Sequence, residues 1–175
     1  MNRHRISDVR TMSMSRRGFF ERLYEVHAGG DLLATLSFDS AFGGGATGLF
    51  GGDSWTFKRT GFFATRVTVR GGTSEFDDAV FQNRRWSQGG ILTYRDGRKY
   101  SACIGRWEKG LQLLTESGEA VISFRTTGTF NTAVDIEVMR PSPDLPVLLL
   151  LGCYLVAVMQ EESASAAAAT IAAMG

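Results

Sequence analysis

The sequence predicts a mainly β protein, an antiparallel closed β-barrel of about 10–12 strands wrapped around a hydrophobic C-terminal helix. Three observations point there. Glycine is abundant and proline scarce, with 21 and 3 among 175 residues, which favours tight turns and short strands. Apolar and polar residues alternate in short runs from Leu23 to Met139, with no helical period between the runs. Then Leu145 to Met159 breaks the pattern, carrying neither a charge nor a polar face.

The length suits one domain with a single core. Residues 1–20 are polar and basic without an apolar period, and read as a flexible basic N-terminal arm. Residues 21–160 form the expected barrel domain with its central helix at 145–159, and residues 161–175 an alanine-rich tail that prolongs the helix or frays. In the arm, Ser15-Arg16-Arg17-Gly18-Phe19-Phe20 has the outline of a twin-arginine export signal. Such a signal needs an apolar stretch next, and Glu21-Arg22-Leu23-Tyr24-Glu25 is charged instead. A cytoplasmic chain is therefore expected, which fits two cysteines outside any disulfide framework.

The clearest strands are Phe63 to Arg70 and Ala133 to Met139. Thr65, Val67 and Val69 oppose Arg66, Thr68 and Arg70 in the first; Val134, Ile136 and Val138 oppose Asp135 and Glu137 in the second. Asp96-Gly97 separates Ile91–Tyr94 from Lys99–Ile104, a strong hairpin signal, and Ser117-Gly118 separates Leu111–Leu114 from Ala120–Phe124. Tyr24–His27, Leu32–Phe38, Trp55–Lys58 and Ala79–Gln82 complete about ten strands in a meander.

For the helix, Asp144 is placed to cap the N-terminus and Pro146 fits the first turn. Fifteen residues span roughly 22 Å, short of a bilayer core of about 30 Å, and Glu161-Glu162 oppose extension. Burying the ten large side chains between Val147 and Met159 contributes on the order of 15–30 kcal/mol before entropy. A closed sheet is wide enough to take such a helix along its axis. The competing reading is a small tail-anchored membrane protein using 145–175 as its anchor.

Nineteen basic and eighteen acidic residues leave a net charge of +1, so no nucleic-acid partner is expected. The charge is uneven: residues 58–109 hold eleven basic and five acidic side chains, and residues 110–175 two and seven. Within the basic segment, Arg84-Arg85-Trp86 and Arg98-Lys99-Tyr100 set cations beside an aromatic, a combination suited to a phospholipid headgroup. Arg84, Arg85, Arg98 and Lys99 are thus the candidate lipid- or anion-binding residues.

Catalytic and metal chemistry find no foothold. Gly43-Gly44-Gly45-Ala46-Thr47-Gly48 has a dinucleotide-loop spacing, but Leu49-Phe50-Gly51-Gly52-Asp53 is no helix start, so it reads as an inter-strand loop. Cys103 falls in a strand and Cys153 in the apolar helix; His4 sits in the arm and His27 at a strand end. Adjacent Asp77-Asp78 and Glu161-Glu162 do not make acid/base dyads. Trp55, Trp86 and Trp107 are expected in the core. No catalytic residue, metal or cofactor is expected.

Meandering strands that end in the Leu148–Met159 helix, with Gly90-Ile91-Leu92-Thr93-Tyr94-Arg95-Asp96-Gly97-Arg98-Lys99-Tyr100 among them, resemble the tubby-like barrel superfamily. It includes tubby proteins, plant LURP-one-related proteins and phospholipid scramblases. The resemblance spans roughly Leu23 to Met159 and implies twelve strands enclosing the last helix. Tubby proteins bind phosphoinositides through a basic patch, but their Lys-x-Arg pair has no clear counterpart here. The proline-rich region and cysteine cluster of scramblases are absent too. The resemblance implies a non-enzymatic module that binds anionic phospholipid headgroups or a protein partner, cytoplasmic or peripheral on membranes. The remaining alternative is an interaction protein with no lipid role.

Overall fold

The computed structural model describes residues 9–18, 21–39, 44–61, 66–85, 89–105, 110–127 and 133–173. Its strands are β1 (Thr11–Arg16), β2 (Leu23–Ala28), β3 (Asp31–Phe38), β4 (Gly45–Phe50), β5 (Asp53–Thr60), β6 (Arg66–Gly71), β7 (Ala79–Arg85), β8 (Gly89–Tyr94), β9 (Lys99–Gly105), β10 (Gly110–Thr115), β11 (Ala120–Thr127) and β12 (Ala133–Val138). Each pairs antiparallel with its sequence neighbours, and β1 closes the barrel by pairing with both β2 and β12. The helix α1 (Leu145–Ala173) follows.

All ten expected strands are present, and the two additional ones are β1 and β4. Part of the expected loose arm is therefore barrel wall. In β1, Met12 and Met14 alternate inward with serines outward, a signal too short to stand out in a basic stretch. For β4 the reason is packing. Ala46 and Gly48 point inward where larger residues mark the other strands, and a Cβ on Gly48 would come within 2.9 Å of both Leu150 methyl carbons. The helix occupies the space a strand side chain ordinarily fills.

Both marked hairpins form with one turn residue more than expected. Tyr94 N–H donates to Arg98 O (2.8 Å) and Thr115 N–H to Glu119 O (2.9 Å), leaving three-residue turns. Each ends in a glycine of positive φ, 92° at Gly97 and 82° at Gly118. Phe63 to Thr65, the start of one expected strand, lie outside the described residues, as do Trp86, Trp107 and His4.

The apolar run lies inside the barrel. Leu149 is 0% exposed and Leu155 2%, and the buried positions Leu148–Leu151 and Cys153–Val158 cover every side of the helix. The axis lies close to β3, β4 and β5 on one side and to β10 and β11 on the other. Leu145–Ala166 has the length and apolar composition of a membrane span, but most of it is buried in the barrel. The first part of the stretch weighed as an anchor, up to Val158, is thus in the core of the fold. The helix also runs on through the alanine-rich tail to Ala173, its last part exposed.

Candidate functional site

The helix enters at one mouth of the barrel, here the proximal mouth, and leaves at the other, the distal mouth. The proximal mouth carries the turns after the even-numbered strands. There Asp144, 9% exposed, begins the helix by accepting Leu148 N–H on its carbonyl (3.0 Å). Its carboxylate does not cap the helix; it accepts Arg98 Nη1–H and the Tyr100 hydroxyl (2.8 Å). Arg98 also donates Nε–H to Asp96 (2.7 Å) and lies over the Tyr94 ring, 4.6 Å from its centroid. Hydrogen bonds from Arg98 pull the Asp96 carboxyl below its ordinary range, and those to Asp144 and Asp96 hold the guanidinium charged. Burial pushes the Tyr94 and Tyr100 hydroxyls up.

At the distal mouth, Tyr154 donates its hydroxyl to Gly44 O (2.8 Å), and its ring stacks on Phe38 and Phe57 with centroids 5.4 and 5.6 Å away. Burial pushes the Tyr154 hydroxyl up to about 12. Two turns further on, Glu161 meets Arg22 (3.5 Å) and Glu162 meets Arg59 (2.9 Å). The adjacent acids work as an ionic collar where the helix leaves the barrel. The other acidic pair also divides its work, with Asp77 on Arg70 (3.0 Å) and Asp78 accepting Gly71 N–H (2.6 Å).

The four sequence-predicted site residues do not form one site. Arg84 and Arg85 stand at the distal end of β7, where Arg85 opposes Gly89. Lys99 opposes Thr93 at the proximal end of β9, next to Arg98. Four steps along β8, from Gly89 to Thr93 or about 13 Å of strand, separate Arg85 from Lys99. Lys99 is exposed, whereas Arg98 is committed to Asp96 and Asp144. The basic 58–109 segment is likewise split, because successive strands run in opposite directions.

Sorted by mouth, the described charges show a different pattern. By strand position the distal half carries nine basic residues (Arg16, Arg17, Arg22, Lys58, Arg59, Arg66, Arg84, Arg85 and Arg125) and six acidic ones. The proximal half carries six cations and ten anions. The barrel is polarised along its axis, positive where the helix leaves.

On the distal half of the outer wall lies a furrow of about 470 Å³ over β4, β5 and β6. Alternation turns Thr56, Lys58, Thr68 and Arg70 outward, while Phe57, Val67 and Val69 fill the core. Gly45, opposite Lys58, leaves room that the Asp39 carboxylate enters: a Cβ on Gly45 would meet Asp39 Oδ2. Arg59 and Arg70 in the furrow have acidic partners. Among the described residues, Lys58 and Asp39 have no side-chain partner.

Other sequence candidates are placed plainly. Cys153 is buried in the helix and burial pushes its thiol up; Cys103 is exposed. His27 is half-buried, with Nε2 3.8 Å from Glu25. Trp55 is partly buried against the core. Among the described residues, no group of three potential metal ligands comes together.

No protein-family model and no curated protein matches the chain. Among solved structures, the chain is similar to the X-ray structure of the protein AT5G01750 from Arabidopsis thaliana, with a TM-score of 0.58 and 14% sequence identity. The match covers 88% of this chain and 91% of that one. At this identity the likeness is one of fold: the two chains share their architecture along nearly their whole lengths.

Proposed function

We propose that this chain is a non-enzymatic tubby-like domain that binds anionic phospholipid headgroups, cytoplasmic and peripheral on membranes. The observation that carries the reading is the excess of cations around the distal mouth. The helix fills the barrel interior, so a ligand must be met on the outside. A mouth with a net excess of cations attracts an anionic surface over about a Debye length, roughly 8 Å at physiological salt, and orients the barrel with its more acidic proximal mouth away. Arg16, Arg17 and Arg66 are exposed there, and Arg84 and Arg85 belong to the same half by strand position. Arg98 and Lys99 fall outside this surface. The perturbed groups also suit a binding module: Cys153 and Tyr154 belong to the enclosed helix, and Arg98 braces its start.

Co-sedimentation with phosphatidylglycerol vesicles tests the proposal. Binding should weaken as salt rises, and neutralising Arg16, Arg17 and Arg66 together should reduce it by tenfold or more, at about 1 kcal/mol per basic residue near the surface. Lys99→Gln should leave it unchanged. Equal binding to phosphatidylcholine, or indifference to the three arginines, overturns the reading.

A further inference from the structure

The furrow on β4–β6 has a composition that a simple anion site does not need. A pocket evolved for phosphate alone gains nothing from a carboxylate, which repels the ligand. Here Lys58 and Asp39 line the same furrow, both exposed, both without a side-chain partner among the described residues. They are held on the two sides of Gly45: the strand register sets Lys58 opposite it, and the Asp39 carboxylate lies where its Cβ would stand. Unpaired charges of opposite sign at one spot complement a ligand that carries both signs on adjacent atoms.

The floor between them is polar. Thr56 and Thr68 present hydroxyls whose only described bonds, to Arg70 O and Lys58 O, are long at 3.5 Å each. Either hydroxyl can turn to donate to a phosphoryl oxygen instead. At the proximal end, the Arg70–Asp77 pair closes the furrow with little net charge.

We infer that this furrow binds a zwitterionic ammonium–phosphate group of the phosphoethanolamine type, its phosphate on Lys58 and the threonine hydroxyls and its ammonium on Asp39. The inference rests on the proposed headgroup-binding role only for its lipid form. The same chemistry occurs in a free phosphoethanolamine and in a phosphatidylethanolamine surface, which the experiment separates.

The test is calorimetric titration of the whole chain with O-phosphoethanolamine, inorganic phosphate and ethanolamine. Vesicles of phosphatidylglycerol, with and without phosphatidylethanolamine, provide the second arm. Phosphoethanolamine should bind at least about tenfold more tightly than either fragment, the gain expected from one charge-assisted contact. Asp39→Asn and Lys58→Gln, both at exposed positions, should each remove that advantage with the thermal midpoint unchanged. Gly45→Ala, which pushes the Asp39 carboxylate aside, should weaken phosphoethanolamine and leave phosphate unaffected. Binding of the free compound alone assigns the site to a soluble ligand; added binding to phosphatidylethanolamine vesicles assigns it to the membrane. Phosphate binding as tightly as phosphoethanolamine overturns the inference, as does the absence of any response in both arms. Neutralising Arg16, Arg17 and Arg66 should leave phosphoethanolamine titration unchanged, so loss of phosphatidylglycerol binding and loss of the furrow site are read separately.

Discussion

Gly152 on α1 faces the ring of Phe124 on β11 so closely that a methyl group on the glycine would overlap the ring. Together with Gly48 beneath Leu150, this contact fixes where the helix lies and how it is rotated within the barrel. Gly152→Ala should therefore destabilise the fold by about 1–3 kcal/mol despite the better helix propensity of alanine. Urea denaturation of the single variant and of Gly152→Ala with Phe124→Leu checks it. The smaller partner should restore part of the loss, and an additive pair of effects would refute the contact.

The start of the helix is held by Asp144. Asp144→Asn keeps the size of the side chain and removes the charge that Arg98 and Tyr100 address. The expected cost is about 1–3 kcal/mol, since a charge-assisted bond is lost and a largely buried group is left poorly matched. Thermal unfolding measures the loss. Hydrogen exchange should show it concentrated in the first turns of α1, with the distal collar at Glu161 and Glu162 less affected.

All four tyrosines, Tyr24, Tyr94, Tyr100 and Tyr154, have hydroxyls pushed above the ordinary value of 10, chiefly by burial. The folded state thus holds protons that the unfolded state releases near 10. Stability from these groups is fully present below that pH and is lost as pH rises toward their folded values, about 12 for Tyr154. Absorbance near 295 nm should show little tyrosinate at pH 10 in the folded chain and about half in guanidinium. A native titration centred at 10 would contradict the burial.

Much of this architecture is legible locally. In β6 and β12 the period-two alternation of Val67 and Val69, and of Val134, Ile136 and Val138, matches the buried face residue for residue. Asp96-Gly97 marks its hairpin because glycine alone takes the positive φ without strain. The run Val147–Val158 announces burial on every side, since no solvent-facing stripe is present. The wall strand β4 is hidden because its inward Gly48 makes sense only with Leu150 across from it. The candidate site was less legible than the fold. Arg84, Arg85, Arg98 and Lys99 are close in sequence, but a meander sends alternate turns to opposite mouths.

Taken alone, the chain's order of residues determined the strand content, most turns and the burial of its terminal helix, because alternation, glycine and apolarity act over a few neighbouring positions. Tertiary structure decided which charges meet. Antiparallel pairing folded a chain of net charge +1 into a barrel with a more basic mouth and a more acidic one. It also tied Arg98 to Asp144, 46 residues away, and set Lys58 across Gly45 from Asp39. Those pairings depend on strand register and barrel closure, which join positions distant in sequence and leave no local pattern to read.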